Sequence, residues 1–255
     1  MIVRERKNDI VMISQDDHAR ISGKLAKYWN ASIFKGQSNR EAVELAINEH
    51  DRAWISVDSK PFWNDKSKLP YSFTDLPNEP KLVFYKNGID EVEEMNAYAG
   101  LLCSQHYMHF TMDDASEASQ RFVVTEQLRQ KRIRQLKNVD EASFQFHFDL
   151  LKFCDNLSLY VCLNEPGSLK EKEHYFFKNG LPVPSTFSFF SEDKLDVRFR
   201  DSQTITLSEF PFEEAVVIHL PQKVVDKDKI NKNGIIAAYE QTPVETVEII
   251  IKAVV

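Results

Sequence analysis

A histidine and an aspartate stand side by side at positions 50 and 51, within the segment EHDRAW (residues 49–54). A neutral imidazole and an ionised carboxylate together suit a divalent metal ion of hard or borderline character. Two adjacent residues do not complete a metal site, so the His50–Asp51 pair requires ligands from other parts of the chain. Residues of suitable chemistry lie on other segments with helical patterns: His18, His106, His147 and Asp155.

Asp155 lies in an apolar helical stretch, FCDNL (residues 153–157). Burying a lone carboxylate is very unfavourable, so Asp155 needs a metal ion or another partner. Successive helix positions turn by about 100°, which places His147 and Asp155 roughly 80° apart on neighbouring sides of one face. We therefore expect His147 to lie near the same site. The alternative for Asp155 is a helix cap or a buried salt bridge to an arginine such as Arg20 or Arg52.

Two further histidines have alternatives of their own. His18 follows two acidic residues at a helix start, which by itself is typical of an exposed first-turn residue. The downstream His50–Asp51 pair instead favours His18 as a metal ligand. His106 follows the apolar segment LLCSQ (residues 101–105), so it is either a core histidine or a contact to metal or substrate.

The overall charge limits the class of ligand. The chain has 255 residues and a net charge of -7, and its longest basic cluster is residues 129–132. A protein that binds the phosphate backbone of DNA or RNA needs a basic face, so we expect no polymeric nucleic acid as a partner. A small phosphorylated ligand held through a metal ion stays compatible with this charge.

Composition also suggests the cellular location. No stretch approaches the roughly 20 apolar residues of a membrane span, so no membrane partner is expected. The first residues lack the apolar run of a signal peptide. The three cysteines (Cys103, Cys154 and Cys162) lie in apolar helical segments without metal-ligand spacing, which indicates reduced core residues. These features predict a cytoplasmic protein.

The pattern of apolar residues predicts an α+β fold with two parts. Residues 1–165 are expected to form a mainly helical domain, interrupted at about 56–90 by a long aromatic loop that packs over the site. Within residues 166–255, four short segments have strand-like patterns, and this part is predicted to be a small C-terminal antiparallel β-sheet packed on the helices. The predicted helices cover about 14–29, 39–50, 92–112, 116–136 and 141–163, and the predicted strands cover 195–200, 203–207, 215–220 and 247–251.

The order of His18, the His50–Asp51 pair and Asp155 resembles the H…HD…D signature of the HD superfamily of metal-dependent phosphohydrolases. A more specific resemblance covers most of the chain and is to an uncharacterised bacterial family, the domain of unknown function 3891 (DUF3891). It rests on the segments QDDHARISG (15–23), EHDRAW (49–54), DSKP (58–61) and LLCSQH (101–106). Ala53 departs from this pattern, because a glycine often stands there. The DUF3891 family carries no established activity.

The HD resemblance implies an HD-like helical domain with one divalent ion, which would be Mn, Mg, Ni, Zn or Fe. Such an ion lowers the pKa of a bound water and polarises a phosphoryl oxygen. The implied ligands are His18, His50, Asp51 and Asp155. The implied catalytic residues are Asp51, His106 and His147, the two histidines acting through a second metal or through hydrogen bonds to substrate. Three cations lie within two turns of the ligands and are candidates for binding phosphate: Arg20, Lys24 and Arg52.

Three functions follow as alternatives. The first is a metal-dependent phosphohydrolase acting on a small, nucleotide-like phosphorylated substrate. The second is a di-iron oxygenase, whose six side-chain ligands would be His18, His50, Asp51, His106, His147 and Asp155. The third is a non-catalytic sensor that binds a metal or a ligand without turnover. In each case the expected partner is a small molecule. The sequence is compatible with either a monomer or a homodimer.

Overall fold

Helices provide most of the regular secondary structure in the computed structural model, which describes residues 1–254. In chain order they are α1 (Gln15–Tyr28), α2 (Arg40–Glu49), α3 (Ile55–Asp58), α4 (Asn78–Met95), α5 (Ala97–His109), α6 (Glu117–Lys137), α7 (Glu141–Leu163), α8 (Lys227–Asn233) and α9 (Ile235–Gln241). Short 3₁₀ turns join several of them, and the turn Arg52–Trp54 directly follows the His50–Asp51 pair.

Polar caps fix the starts of the helices that carry the candidate ligands. The Ser14 side chain accepts a hydrogen bond from the backbone N–H of Asp17 and starts α1, and Asp140 does the same for α7 through Ser143. Asn96 caps α5, and its extended backbone (φ -157°, ψ 120°) separates α5 from α4. The single helix predicted over 92–112 is therefore wrong, because Asn96 ends one helix and begins the next.

The strands are β1 (Ile2–Glu5), β2 (Asp9–Ile13), β3 (Trp63–Asn64), β4 (Leu69–Pro70), β5 (Leu181–Pro182), β6 (Lys194–Leu195), β7 (Val197–Phe199), β8 (Thr204–Leu207), β9 (Val216–Asp226) and β10 (Glu245–Ala253). Six of them form one sheet in the order β1-β2-β9-β10-β8-β7. All neighbours in this sheet are antiparallel except β10 and β8, which are parallel.

The N-terminal strands correct the expected placement of the sheet. β1 and β2 form a hairpin, and β2 pairs with the far end of β9 from Asp9↔Asp226 to Met12↔Lys223. The near end of β9 pairs with β10. The long β9 therefore joins the first residues of the chain to the last strand, and the sheet is neither purely C-terminal nor purely antiparallel.

Helices and sheet share a hydrophobic core. One cluster of buried side chains contains Ile2 of β1, Leu25 of α1, Leu151 of α7 and Ile251 of β10. Residues from both sides of position 165 therefore bury their apolar surfaces against one another. No helix within residues 1–254 combines the length and apolarity that crossing a membrane requires.

The segment predicted as a long loop at 56–90 is more ordered than expected. It holds the end of α3, the β3–β4 hairpin and, from Asn78, the first part of α4. The prolines and aromatic residues of this segment concealed the helical period of α4. Phe73 of this segment nevertheless lines the same cleft as the candidate ligands, which is where the sequence predicts an aromatic loop.

Candidate metal centre

Five buried side chains from different segments meet beside a cleft. His18 lies on α1, His50 and Asp51 follow the end of α2, His106 lies in the last turn of α5, and Asp155 lies in α7. All five are between 0 % and 8 % exposed. Burial of so many titratable groups requires that each is paired, hydrogen-bonded or bound to an ion.

The donor atoms lie close together. His18 Nε2 is 3.0 Å from Asp155 Oδ1, and His50 Nε2 is 3.6 Å from the same oxygen. Both Nε2 atoms lie 3.8 Å from Asp51 Oδ2. Donors that each lie about 2.1 Å from one ion are about 3 to 3.5 Å from one another. The structure thus brings together the four predicted metal ligands, at spacings only slightly wider than those of an ion's ligands.

The hydrogen bond of His50 to the main chain determines its tautomer. His50 Nδ1 lies 2.8 Å from the Ile47 carbonyl oxygen, which only accepts, so Nδ1 carries the hydrogen. The second nitrogen, Nε2, is buried and has no hydrogen-bond partner. In the neutral ring this atom holds a lone pair that points to the carboxylates. Histidines that bind metals almost always donate their other N–H in this way.

His18 has an equivalent partner on α7. His18 Nδ1 lies 2.7 Å from Ser158 Oγ, and this hydroxyl lies 2.9 Å from the Asp155 carbonyl oxygen, to which it donates. The hydroxyl oxygen can then accept from His18 Nδ1–H, which leaves the lone pair of His18 on Nε2. Ser22 Oγ supports this arrangement from α1, 2.7 Å from Ser158 Oγ.

The electrostatics of the cluster favour a positive charge beside its carboxylates. Burial opposes protonation of His50, but Asp51 and Asp155 outweigh this effect and raise the pKa of His50 to about 9. Burial would raise the pKa of Asp155, yet the imidazoles of His18 and His50, whose Nε2 atoms lie 3.0 and 3.6 Å from its Oδ1, bring the pKa of this carboxyl far below its usual range. Burial raises the pKa of Asp51. Either a proton or a metal cation would satisfy this demand for positive charge.

His106 differs from the other two histidines. Its Nε2 is 4.0 Å from Asp155 Oδ2, while its Nδ1 is buried without a partner. Burial lowers the pKa of His106 to about 3, although Asp155 opposes this shift, so the ring is neutral. A buried N–H without an acceptor is rarer in proteins than an unsatisfied acceptor. The ring hydrogen of His106 is therefore assigned to Nε2, so that Nε2 is the donor and Nδ1 is the acceptor.

The cluster opens to a cleft of about 380 Å³. His18, Asp51, His106 and Asp155 contribute to its lining, and aromatic residues form much of the remaining surface. The aromatic lining residues are Trp54, Phe73, Tyr85, Tyr107, Phe110 and Phe176. The volume falls at the lower end of the roughly 300–1,000 Å³ that is usual for small-molecule sites.

Three residues of the cleft were missed from the sequence. Gln15 Nε2 donates to Asp51 Oδ2 at 3.0 Å, and Tyr107 Oη lies 3.5 Å from Asp51 Oδ1. Gln15 precedes His18 by three positions, so the i, i+3 rule for one helix face could have identified it. Lys81 also lines the cleft, but it lies on α4, in the segment interpreted as a loop.

His147 does not join the cluster, which corrects the prediction that it lines the same cleft and takes part in catalysis. Its Nε2 lies 2.7 Å from the Lys35 carbonyl oxygen, and its Nδ1 lies 2.7 Å from Tyr98 Oη. Both ring nitrogens are therefore engaged in structural hydrogen bonds away from Asp155. The di-iron alternative loses one of its six proposed ligands.

The predicted phosphate-binding cations also lie elsewhere. Arg20 pairs with Asp16 and Glu49, and Arg52 pairs with Glu91 and with the same Glu49 at 3.1 Å. Neither arginine lines the cleft, and neither does Lys24. Proximity in sequence to the ligands was misleading because Glu49, next to His50, binds both guanidinium groups outside the cleft.

The sequence matches the model of one protein family, described as "Protein of unknown function (DUF3891)", over residues 1–227. Searches among curated proteins and among solved structures gave no match. The matched range includes all five side chains of the cluster and extends through β9. The chain therefore belongs to the DUF3891 family.

Proposed function

We propose that the protein is a metal-dependent phosphohydrolase that acts on a small phosphorylated molecule. In this proposal His18, His50, Asp51 and Asp155 hold one divalent ion. The observation that carries it is the buried Nε2 atom of His50, which lacks a hydrogen-bond partner and points to two carboxylates. A buried polar atom without a partner is uncommon in folded proteins, and a bound ion would supply the missing partner.

The number of ions follows from the same atom. The side chains form two overlapping candidate groups, His18–His50–Asp51 and His50–His106–Asp155, and both include His50. His50 has one free nitrogen, because Nδ1 donates to Ile47. One lone pair binds one metal ion, so the two groups describe one ion and not two. This argument supports a mononuclear centre.

The order of these ligands along the chain resembles the HD superfamily, which favours hydrolysis of a phosphate ester. A divalent ion in the centre would polarise a phosphoryl oxygen and activate a water molecule. His106 has a separate role in this proposal, because its Nδ1 has no partner of the kind that orients metal-bound histidines. Its Nε2–H donates a hydrogen bond to an oxygen of the substrate and stabilises charge that develops there.

The charge of the centre also supports a metal requirement. Asp51 and Asp155 both line the cleft, and two carboxylates repel an anionic phosphate. A divalent cation would balance their charge and allow the phosphate to approach. Without the ion, the same cleft would be unsuitable for an anionic substrate.

Asp51→Asn is the decisive variant, since it keeps the side-chain volume and removes one negative charge. We expect this variant to lose bound metal and hydrolysis together, as measured by elemental analysis, by phosphate release from a panel of phosphomonoesters and by alcohol release from a panel of phosphodiesters. Asp149→Asn is the matched control, because Asp149 is a buried carboxylate of α7 that pairs with Lys152 outside the cleft. If the wild-type protein binds metal but hydrolyses no phosphorylated compound, the sensor function is favoured instead. If it binds no metal, both the hydrolase and the metal sensor are refuted.

A further inference from the structure

We infer that the cleft binds a phosphate monoester of a single flat aromatic group, with Lys81 as the residue that holds the phosphate. This inference rests on the proposed function and adds the chemical class of the substrate. It depends on three features of the cleft: its aromatic walls, its size and its one lysine.

The aromatic walls consist of a fixed part and an exposed part. Tyr85 and Tyr107 stack with ring centroids 4.1 Å apart, and Trp54 packs against Tyr85 at 6.0 Å. These three residues are buried, whereas Phe110 is 58 % and Phe176 is 41 % exposed. Exposed aromatic rings that line a concave site, beside polar groups able to orient a ligand, are typical of a surface that covers an apolar ligand.

The size of the cleft limits the part of a substrate that can lie inside it. A volume of about 380 Å³ corresponds to roughly a dozen water molecules. One ring system with one phosphate group fits this space, whereas most of a dinucleotide or a polymer would lie outside it. Flat rings gain additional energy by stacking on or meeting the edges of aromatic side chains.

Lys81 supplies a positive charge without a partner. Its side chain is half-buried at the cleft, and no carboxylate within residues 1–254 lies at ion-pair distance from its ammonium group. Burial lowers the pKa of Lys81, and the more distant Asp75 opposes this shift. A bound phosphate would provide the missing counter-charge. Arg20 and Arg52, by contrast, are already neutralised by acidic neighbours.

Gln15 adds a neutral acceptor to the same lining. Its Nε2 donates to Asp51, which assigns the other amide atom as oxygen, because the reverse orientation would place an oxygen against a carboxylate. This oxygen, Oε1, is buried and has no hydrogen-bond partner. Lys81 and Gln15 therefore leave an unsatisfied cation and an unsatisfied acceptor at the cleft, which suits a ligand with both an anionic group and a hydrogen-bond donor.

Calorimetric titration of the purified protein loaded with Mn²⁺, with phenyl phosphate and with methyl phosphate as ligands, tests this inference. We expect phenyl phosphate to bind about tenfold or more tightly than methyl phosphate, because only phenyl phosphate contacts the aromatic walls. Lys81→Met should weaken phenyl phosphate binding by about tenfold or more, and Lys81→Arg should restore most of it. Lys60→Met is the control, since Lys60 is exposed and outside the cleft.

Equal affinities for the two phosphates, unchanged affinity in Lys81→Met, or no binding of phenyl phosphate would each overturn the inference. The outcome is separable from that of the proposed function. Hydrolysis of methyl phosphate that does not depend on Lys81 would preserve the hydrolase and remove the aromatic substrate. Binding of phenyl phosphate through Lys81 without turnover would preserve the ligand class and remove the hydrolase.

Discussion

Replacing Ser158 by alanine is expected to weaken metal binding without removing any proposed ligand. Ser158 is fully buried, and its hydroxyl lies 2.7 Å from His18 Nδ1. In the metal-bound state this hydroxyl accepts the Nδ1–H and so keeps the lone pair of His18 on Nε2. Alanine at this position leaves the N–H buried without an acceptor and frees the ring to rotate or to change tautomer.

The magnitude follows from that single lost contact. Loss of a partner that orients a metal-bound histidine lowers metal affinity by about 10- to 100-fold. This factor corresponds to about 1.4–2.7 kcal/mol of binding free energy. The unfolding free energy of the metal-free protein should fall by about 1–3 kcal/mol, because a buried donor loses its acceptor.

Competition of the protein with a chelator of known affinity would measure the metal dissociation constant, and urea titration would measure the unfolding free energy. Ser22→Ala is the matched control. Ser22 is equally buried and hydrogen-bonds to Ser158 and to the His18 carbonyl oxygen, but it makes no hydrogen bond to the His18 ring. We expect this control to lose about 1 kcal/mol of stability and to keep its metal affinity within about threefold. Equal loss of metal affinity in both variants would refute the proposed role of Ser158.

Three further predictions concern residues around the centre. Gly88→Ala should lower the unfolding free energy by about 1–3 kcal/mol in a denaturant titration, because the added Cβ would lie 2.6 Å from the backbone nitrogen of Ala53; wild-type stability would contradict this. His147→Ala should keep the metal content by elemental analysis while losing about 1–3 kcal/mol of stability, and loss of metal would place His147 back in the site. Arg52→Ala should leave KM within about twofold, because this partly exposed arginine pairs with glutamates outside the cleft, and a large rise in KM would return it to the substrate site.

The helices with clear local signals could be predicted from the sequence. The helix predicted over 141–163 matches α7, since a capping aspartate starts it and the segment NEPG (residues 164–167) ends it. The strand-like segments of the last third correspond to β7, β8, β9 and β10. In these regions the periodicity and the end signals lie within one short stretch of sequence.

The N-terminal hairpin required information that is not local. β1 and β2 are four and five residues long, and β2 is completed by pairing with β9 more than 200 positions away. Short apolar runs of this kind do not distinguish a strand from other buried segments. Lys81 was missed for a related reason, because α4 begins at Asn78 in a segment with prolines and aromatic residues that weaken the helical pattern.

The error at His147 has a geometric cause. The angle of about 80° about the axis of α7 places His147 and Asp155 on neighbouring sides of one face, but the rise along the axis separates them. Eight residues advance a helix by about 12 Å, far more than a metal coordination shell spans. His147 therefore contacts the loop around Lys35, while Asp155 reaches the cluster. A shared face requires both a small angle and a separation of one turn.

Close packing of α1 on α2 determines the distance between the first two ligands. Gly23 of α1 lies against α2, where an added Cβ would approach the Asn48 Cα to 2.9 Å. This contact, one to two turns from His18 and two residues from His50, brings the two imidazole centroids to 5.2 Å. The ligand positions are therefore set by buried helix contacts and not by flexible loops. A metal ion would enter a site whose donors are already close to their final positions, which reduces the reorganisation that binding requires.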